Sequence, residues 1–296
     1  MEATVTPAPT APALNPVSFQ ADRYLVCEAA DEYLGDSRPD YEALVDAVCT
    51  GAPEVALSDP AHAARAVEVF AGSPYSALAA LEVDEAGTVT ITPSGTGSAD
   101  EFDNAAETLV EGVLYEQSNA LETALALYRA VSAECTYEEN DENSLYRMLV
   151  ERRGGSAEFA EALQYLFLQN NIPAQLAYGT VGDVVHVWVI AQLNGNAYHF
   201  DPTFENGVTG GRGLSYFGMS DTARVYTGCT LPCTVGQGGY AETVEAPCPD
   251  TYFDDLFTDV TDWENDVRQH FVYLAYGFED DYLNSIQTDT LVTPGE

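Results

Sequence analysis

Three separated polar residues carry the side chains that nucleophilic catalysis needs. Ser156 lies at the start of a predicted helix, His186 lies on a predicted strand, and Asp201 ends the next strand. A carboxylate bonded to one imidazole nitrogen orients the ring and raises its basicity, which leaves the other nitrogen free to take a proton from a hydroxyl. The three residues are therefore candidates for a catalytic triad.

The pairing of His186 with Asp201 depends on a predicted β-hairpin. Two runs of alternating polarity flank Asn194-Gly195, a dipeptide typical of a two-residue hairpin turn. This register places Trp188 opposite Asp201 and His186 on the same face, roughly 7–8 Å from Asp201 at the backbone. A loop of odd length would put them on opposite faces, and a purely structural His–Asp pair is the alternative interpretation.

The helix that Ser156 opens has a clear sequence signature. Gly154-Gly155 precede it, and its predicted buried stripe comprises Phe159, Leu163, Leu166 and Phe167. Free N–H groups and the dipole at a helix N-terminus stabilise negative charge on a nucleophile and on an oxyanion. Serine is also a preferred N-cap residue, so a structural role for Ser156 is the alternative.

These motifs resemble the transglutaminase-like superfamily, whose core is related to papain-like cysteine proteases. That family shows G-x-C-x-G-Y-A at the start of a helix, H-A-W on a later strand and D-P-T-W or similar after the next strand. The matching segments here are GGSAEFA at 154–160, HVW at 186–188, YHFDPTF at 198–204 and YFGMSD at 216–221. The resemblance covers roughly residues 105–221.

The resemblance implies roles for five residues. His186 matches the general base, Asp201 the carboxylate that orients it, and Trp188 the tryptophan of H-A-W, a candidate for contact with substrate. Ser156 stands where the family has its nucleophilic cysteine, and a serine alkoxide is far less available near neutral pH than a thiolate. Glu158 replaces a small glycine and is a second candidate for substrate contact, where its charge would oppose developing negative charge.

The order of elements predicts an α+β fold. The resemblance implies a transglutaminase-like, papain-like core in which an antiparallel sheet packs on the helix bearing the nucleophile position. Helical patterns over 17–70, 102–134 and the region of Trp263 to Leu274 add helical N- and C-terminal parts, with a hairpin over 76–93. The predicted domains are a tether at 1–16, a helical region with a hairpin at 17–104, the core at 105–221, and cysteine-containing loops with C-terminal helices at 222–296.

Charge excludes two classes of partner. The 296 residues include 48 Asp and Glu against 10 basic residues, all of them Arg, for a net charge of −38. Nucleic acid and anionic membrane surfaces both require a basic footprint, so neither is an expected partner. No apolar stretch is long enough to span a membrane. Because the chain has no Lys, it cannot supply a side-chain amine for an isopeptide bond to itself.

The six cysteines are even in number, and a disulfide within the 229–248 loop is the favoured interpretation. Their spacing does not complete a zinc site, so neither a metal nor another cofactor is predicted. The Pro/Ala/Thr-rich residues 1–16 suggest that the protein is exported and that a signal precedes them in the natural gene. The expected location is extracellular or at the cell surface, where a lipid could anchor the protein. A cytosolic protein with a frayed end is the alternative.

Three functions remain open. The first is a catalytically impaired transglutaminase-like protein that binds a peptide or protein at the cell surface. The second is a peptide-amide hydrolase or acyl transferase that uses Ser156, His186 and Asp201. The third is a cysteine enzyme in which Ser156 was introduced in place of the natural cysteine.

Overall fold

The computed structural model describes residues 15–116, 118–140, 142–237, 240–245 and 247–254. The α-helices of this part are α1 (Glu28–Leu34), α2 (Arg38–Thr50), α3 (Pro60–Phe70), α4 (Ala99–Val113), α5 (Ala120–Glu134), α6 (Leu145–Glu151), α7 (Ser156–Gln169), α8 (Pro202–Thr209) and α9 (Asp221–Tyr226). The strands are β1 (Glu54–Ala56), β2 (Ala79–Val83), β3 (Thr88–Pro93), β4 (Thr136–Tyr137), β5 (Arg153–Gly154), β6 (Ala174–Val181), β7 (Val184–Leu193), β8 (Asn196–Phe200), β9 (Cys233–Gln237) and β10 (Tyr240–Val244). Helices and antiparallel sheets together confirm the α+β class.

The central sheet has the strand order β10-β9-β6-β7-β8, with every neighbouring pair antiparallel. The turn between β7 and β8 is Asn194-Gly195, both with positive φ, as a primed two-residue turn requires. Pairing of Leu193 with Asn196 confirms the predicted register. The ladder ends at Phe200 because a proline begins α8 two residues later, so the predicted pairing of Trp188 with Asp201 does not form.

Two clusters of buried side chains lie on the two faces of β7. Val187 and Val189 belong to the main core, which also contains Phe159 of α7. Trp188 belongs to a smaller cluster with Cys233 and Cys248. Because side chains alternate along a strand, His186 points to the same face as Trp188.

The N-terminal region is helical only from Glu28. The prediction of helix from Val17 is wrong, because residues 17–27 run as an extended and turning segment whose backbone bonds to the end of α4: the Val17 N–H donates to the Leu114 carbonyl at 3.2 Å. The helix predicted over 102–134 is two helices, α4 and α5. The predicted hairpin is confirmed as β2 and β3, to which β1 adds a third strand.

Residues 222–250 are more ordered than predicted. The sequence indicated loops, but the chain forms α9 and then the β9–β10 hairpin, whose β9 pairs with β6 and so extends the sheet. The helix predicted around Trp263 and most of the predicted tether lie outside the described residues. None of the described helices is both long and apolar enough to span a bilayer.

Candidate active site

Helix α7 is entered through a tightly packed glycine. The Gly154 carbonyl accepts a hydrogen bond from the Glu138 N–H at 2.9 Å. A Cβ at Gly154 would lie 2.7 Å from the Glu158 Cβ, which is closer than real Cβ atoms approach, and 3.0 Å from the Met148 sulfur, which is a tight contact. Glycine is therefore needed here to let the backbone reach the start of the helix.

Ser156 is the first residue of α7 and not its cap. The N-cap is Gly155, which has no side chain to accept a capping hydrogen bond, so the interpretation of Ser156 as the cap is wrong. The half-buried Ser156 hydroxyl lies at the N-terminal end of the helix, where the backbone N–H groups of the first turn have no partner within the helix. Among the described residues, no hydrogen bond joins this hydroxyl to His186, whose ring bonds to Asp201 instead.

Glu158 bonds to the backbone at the start of α7. Its Oε2 accepts the Gly155 N–H at 2.8 Å, the contact that the third residue of a helix makes in a capping box. A negative charge in the first turn also interacts favourably with the positive end of the helix dipole. Glu158 therefore stabilises the start of the helix, and its contact with substrate stays a prediction.

His186 and Asp201 form a buried hydrogen-bonded pair, as the hairpin register predicts. His186 Nε2 lies 2.6 Å from Asp201 Oδ2, and their side chains are 7% and 0% exposed. Burial alone would raise the pKa of Asp201, but the hydrogen bond from His186 and the charge of Arg224 outweigh burial and lower it. An ionised Asp201 accepts a hydrogen bond from Nε2–H, and in that tautomer the Nδ1 atom carries the lone pair that can take a proton from a nucleophile.

Arg224 contacts the same carboxylate, which the sequence did not predict. Its Nη1 donates to Asp201 Oδ2 at 2.7 Å, and both side chains are completely buried. The other oxygen, Oδ1, accepts the Phe204 N–H at 2.9 Å. The available signal was weak: Arg224 is one of only ten basic residues and follows the YFGMSD segment.

Aromatic rings enclose this group. The Phe204 ring stacks on His186 with centroids 4.5 Å apart, and the Trp188 ring lies nearly parallel to His186 at 6.2 Å. The Arg224 guanidinium lies 4.1 Å from the centroid of the Trp188 ring. These rings exclude water from the charged groups and so strengthen their interaction. Trp188 thus lies beside the His–Asp pair, as the resemblance implies.

A second histidine–aspartate pair lies behind Trp188. The Trp188 Nε1–H donates to His199 Nδ1 at 2.9 Å, and His199 Nε2 lies 3.0 Å from Asp221 Oδ1. Because an indole can only donate, His199 Nδ1 must hold the lone pair and Nε2 the proton, which is donated to Asp221. Burial lowers the pKa of His199, and the bond to Asp221 opposes this only in part, so the ring is neutral near pH 7.

The ligand atoms of His199, Asp221 and Cys248 lie within 4.8 Å of one another, the spacing of a metal site. A metal would need a lone pair on His199 Nε2, but that nitrogen holds the proton donated to Asp221. The Asp221 carboxylate also accepts the Cys248 N–H at 3.1 Å. The donor set of this described cluster therefore does not fit a metal ion.

All six cysteines lie in the described residues, and none of them forms a disulfide there. The predicted disulfide within 229–248 is therefore wrong: Cys233 and Cys248 pack as separate thiols in the smaller core cluster. Burial raises the pKa of Cys135 to about 11 and that of Cys233 to about 11. Neither is a thiolate at neutral pH, so neither replaces the missing nucleophile.

Comparison with known proteins places the site within a recognised family core. Residues 107–202 match the model of the transglutaminase-like superfamily. A solved structure of a candidate cysteine protease from Cytophaga hutchinsonii is similar at 18% identity and a TM-score of 0.31, over 52% of this chain and 51% of that one. The chain thus spans about half the length of that protein. No curated protein matches it. Residues 107–202, which contain Ser156, His186 and Asp201, therefore match a transglutaminase-like core, and the assignment of Ser156 to the nucleophile position stays a prediction.

Proposed function

We propose that the protein is an exported, catalytically impaired member of the transglutaminase-like group that binds a peptide or protein at the cell surface. In this role the start of α7 binds a glutamine-like amide without forming an acyl intermediate. The helix N-terminus supplies N–H donors for the amide oxygen, and His186 supplies a further polar group.

One observation carries the proposal: the hydroxyl at the nucleophile position and the base are both present but are not coupled. Asp201 orients the His186 ring, yet no hydrogen bond joins Ser156 to it in the described chain. A hydroxyl that is not deprotonated during attack is a weak nucleophile at neutral pH. Binding groups are therefore retained while the step that makes a covalent bond is not supported.

The first prediction tests catalysis directly. The full-length protein and its Ser156→Cys variant are incubated with a fluorophosphonate probe and, separately, with a glutaminyl peptide whose ammonia release is followed. We expect no labelling of the unmodified protein and no ammonia release by either protein. Ser156→Ala serves as the background, and an active serine hydrolase added to the same sample verifies the probe.

Binding is tested in the same proteins with a protected glutaminylglycine dipeptide as the probe. The ring resonance of His186, assigned by its loss in His186→Gln, should shift saturably as the dipeptide is added. Absence of a saturable shift at millimolar dipeptide contradicts the binding role. Labelling at Ser156 would identify a serine enzyme instead, and ammonia release by Ser156→Cys would identify a cysteine-type site.

A second candidate is a hydrolase or acyl transferase that acts on peptide amides through Ser156. It is favoured by the intact pair of His186 and Asp201, whose 2.6 Å contact leaves Nδ1 available to a nucleophile. In such an enzyme substrate binding would bring the Ser156 hydroxyl within hydrogen-bond reach of Nδ1. Labelling that disappears in both Ser156→Ala and His186→Gln would support this candidate.

A further inference from the structure

The proposed function leaves one charge unexplained, the guanidinium of Arg224. This side chain is completely buried, and its Nη1 donates a hydrogen bond to Asp201 Oδ2 at 2.7 Å. The Nε and Nη2 groups have no hydrogen-bond partner among the described residues. A buried arginine remains protonated, so a full positive charge lies directly on the carboxylate that orients His186.

The geometry makes Arg224 and His186 competitors. His186 Nε2 and Arg224 Nη1 approach the same oxygen of Asp201, at 2.6 and 2.7 Å. With Arg224 in place, Asp201 and Arg224 already form a neutral pair, and a protonated His186 would lie close to the Arg224 charge across the shared carboxylate oxygen. Without Arg224, a protonated His186 would itself form the neutral pair with Asp201.

Other ionisable groups lie around the pair, but within the described chain Asp201 is the carboxylate that forms the ion pair with Arg224. Burial raises the pKa of Glu205, and the hydrogen bonds that its carboxylate accepts from the Tyr216 N–H and the Thr209 and Tyr128 hydroxyls oppose this rise. Burial likewise raises the pKa of Tyr128, Tyr216 and Cys229, which stay neutral near pH 7. The Asp221 carboxylate accepts hydrogen bonds from the neutral His199 ring and from the backbone.

We propose that Arg224 is a positioning residue that cancels the charge of Asp201 and so keeps the His186 ring neutral. A cysteine-type site needs a thiolate beside an imidazolium, and Arg224 opposes that ion pair. A serine hydroxyl needs no imidazolium in the resting site, so the arrangement accounts for a serine at position 156. The inference deepens the proposed function, since it explains why a thiol placed at 156 would stay protonated and unreactive.

The test is a titration of histidine ring resonances by NMR in the full-length protein, which requires no turnover. The variants are Arg224→Met, which preserves much of the side-chain volume, and Arg224→Gln, which also preserves a donor to Asp201. In both, the pH midpoint at which His186 titrates should rise by about 1 pH unit or more. Arg224→Lys retains the charge and should restore the midpoint of the unmodified protein. The exposed Arg65 provides the matched control, since Arg65→Met removes a charge from α3 and should leave the midpoint unchanged.

A second readout uses the Ser156→Cys background. The rate at which iodoacetamide alkylates the introduced thiol is measured against pH and mapped by mass spectrometry, and adding Arg224→Met should extend fast alkylation to lower pH. A His186 midpoint that is unchanged or lower in both neutral variants would overturn the inference. This failure is distinguishable from failure of the proposed function, which is decided by labelling and ammonia release in proteins that retain Arg224.

Discussion

Trp188 connects the two histidine–aspartate pairs of the site. Its indole N–H donates to His199, and its ring supports the Arg224 guanidinium that contacts Asp201. Trp188 therefore sets the tautomer of His199 and packs against Arg224, whose charge acts on the pair of His186 and Asp201. The HVW motif predicted that Trp188 lies beside His186, but the bond to His199 has no local sequence signal.

At this scale we predict that Trp188→Phe destabilises the protein. Phenylalanine retains a ring for Arg224 to pack on but removes the donor, so the buried His199 Nδ1 loses its partner. An unsatisfied buried acceptor costs about 1–3 kcal/mol, and the smaller ring adds a cavity cost. The measurement is the free energy of unfolding in urea, followed by circular dichroism.

The matched control for that variant is Tyr226→Phe, because Tyr226 is 87% exposed. A surface substitution of this kind changes stability by less than about 0.5 kcal/mol. Equal stability of Trp188→Phe and the unmodified protein would show that the indole–imidazole hydrogen bond contributes little.

Helices α7 and α9 each supply two of the charged and polar groups of the site. Helix α7 presents Ser156 at its first residue, and its start is determined by the glycines and by the Glu158 contact. Helix α9 has only six residues but carries both Asp221 and Arg224. Ser220 caps it and also bonds to the Asp254 carboxylate, which ties the short helix to the end of the described chain.

At the element scale we predict that Gly154→Ala disturbs the start of α7. The added Cβ would meet the Glu158 Cβ at 2.7 Å and the Met148 sulfur at 3.0 Å, so the first turn must move. Overpacking of this kind costs about 1–3 kcal/mol. The measurement is the urea midpoint and slope of unfolding.

Gly112 in α4 is the control for this substitution, because a Cβ there meets no atom within 4 Å. Gly112→Ala should be neutral or stabilise the protein by about 0.4–1 kcal/mol, since alanine lowers the entropy of the unfolded chain. A stabilising effect of Gly154→Ala would contradict the tight packing at the start of α7.

Helices and strands were predicted correctly where neighbouring residues determine them, and they were missed where pairing with residues distant in sequence determines them. Alternating apolar residues around Asn194-Gly195 predicted β7 and β8, and the stripe after Gly155 predicted α7. The β9–β10 hairpin was missed because its short, Gly- and Thr-rich strands become strands by pairing with β6, which is distant in sequence. The extended segment before Glu28 was missed because its backbone pairs with the end of α4.

For the whole molecule, the main core is continuous from the N-terminal helices to the sheet. It contains Leu34 of α1, Tyr75, Phe102 of α4 and Phe200 of β8. The predicted boundary at 104–105 stays a prediction, but the side chains on its two sides share this core. We therefore expect the helical region to stabilise the transglutaminase-like core rather than to act as a separate appendage.

The whole-molecule prediction concerns the six thiols. Native protein is incubated with glutathione disulfide, separated from it, and unfolded without reductant before thiols are counted with Ellman's reagent. We expect six thiols per chain, because five cysteines are buried and the sixth, Cys49, is half-buried. A fully reduced sample is the control, and a loss of two thiols with a chain mass lower by only two hydrogens, and no added glutathione, would indicate an internal disulfide.

The sequence by itself determined the elements of the site and one of its contacts. The glycine pair with its apolar stripe, the alternation and the Asn-Gly turn act through neighbouring residues, so they predicted α7, the hairpin and the approach of His186 to Asp201. Tertiary structure alone decided that Arg224 shares Asp201, 23 residues away, and that Asp221 holds His199, 22 residues away. These contacts depend on how a six-residue helix packs against the sheet, and packing of that kind has no periodic signature in the sequence.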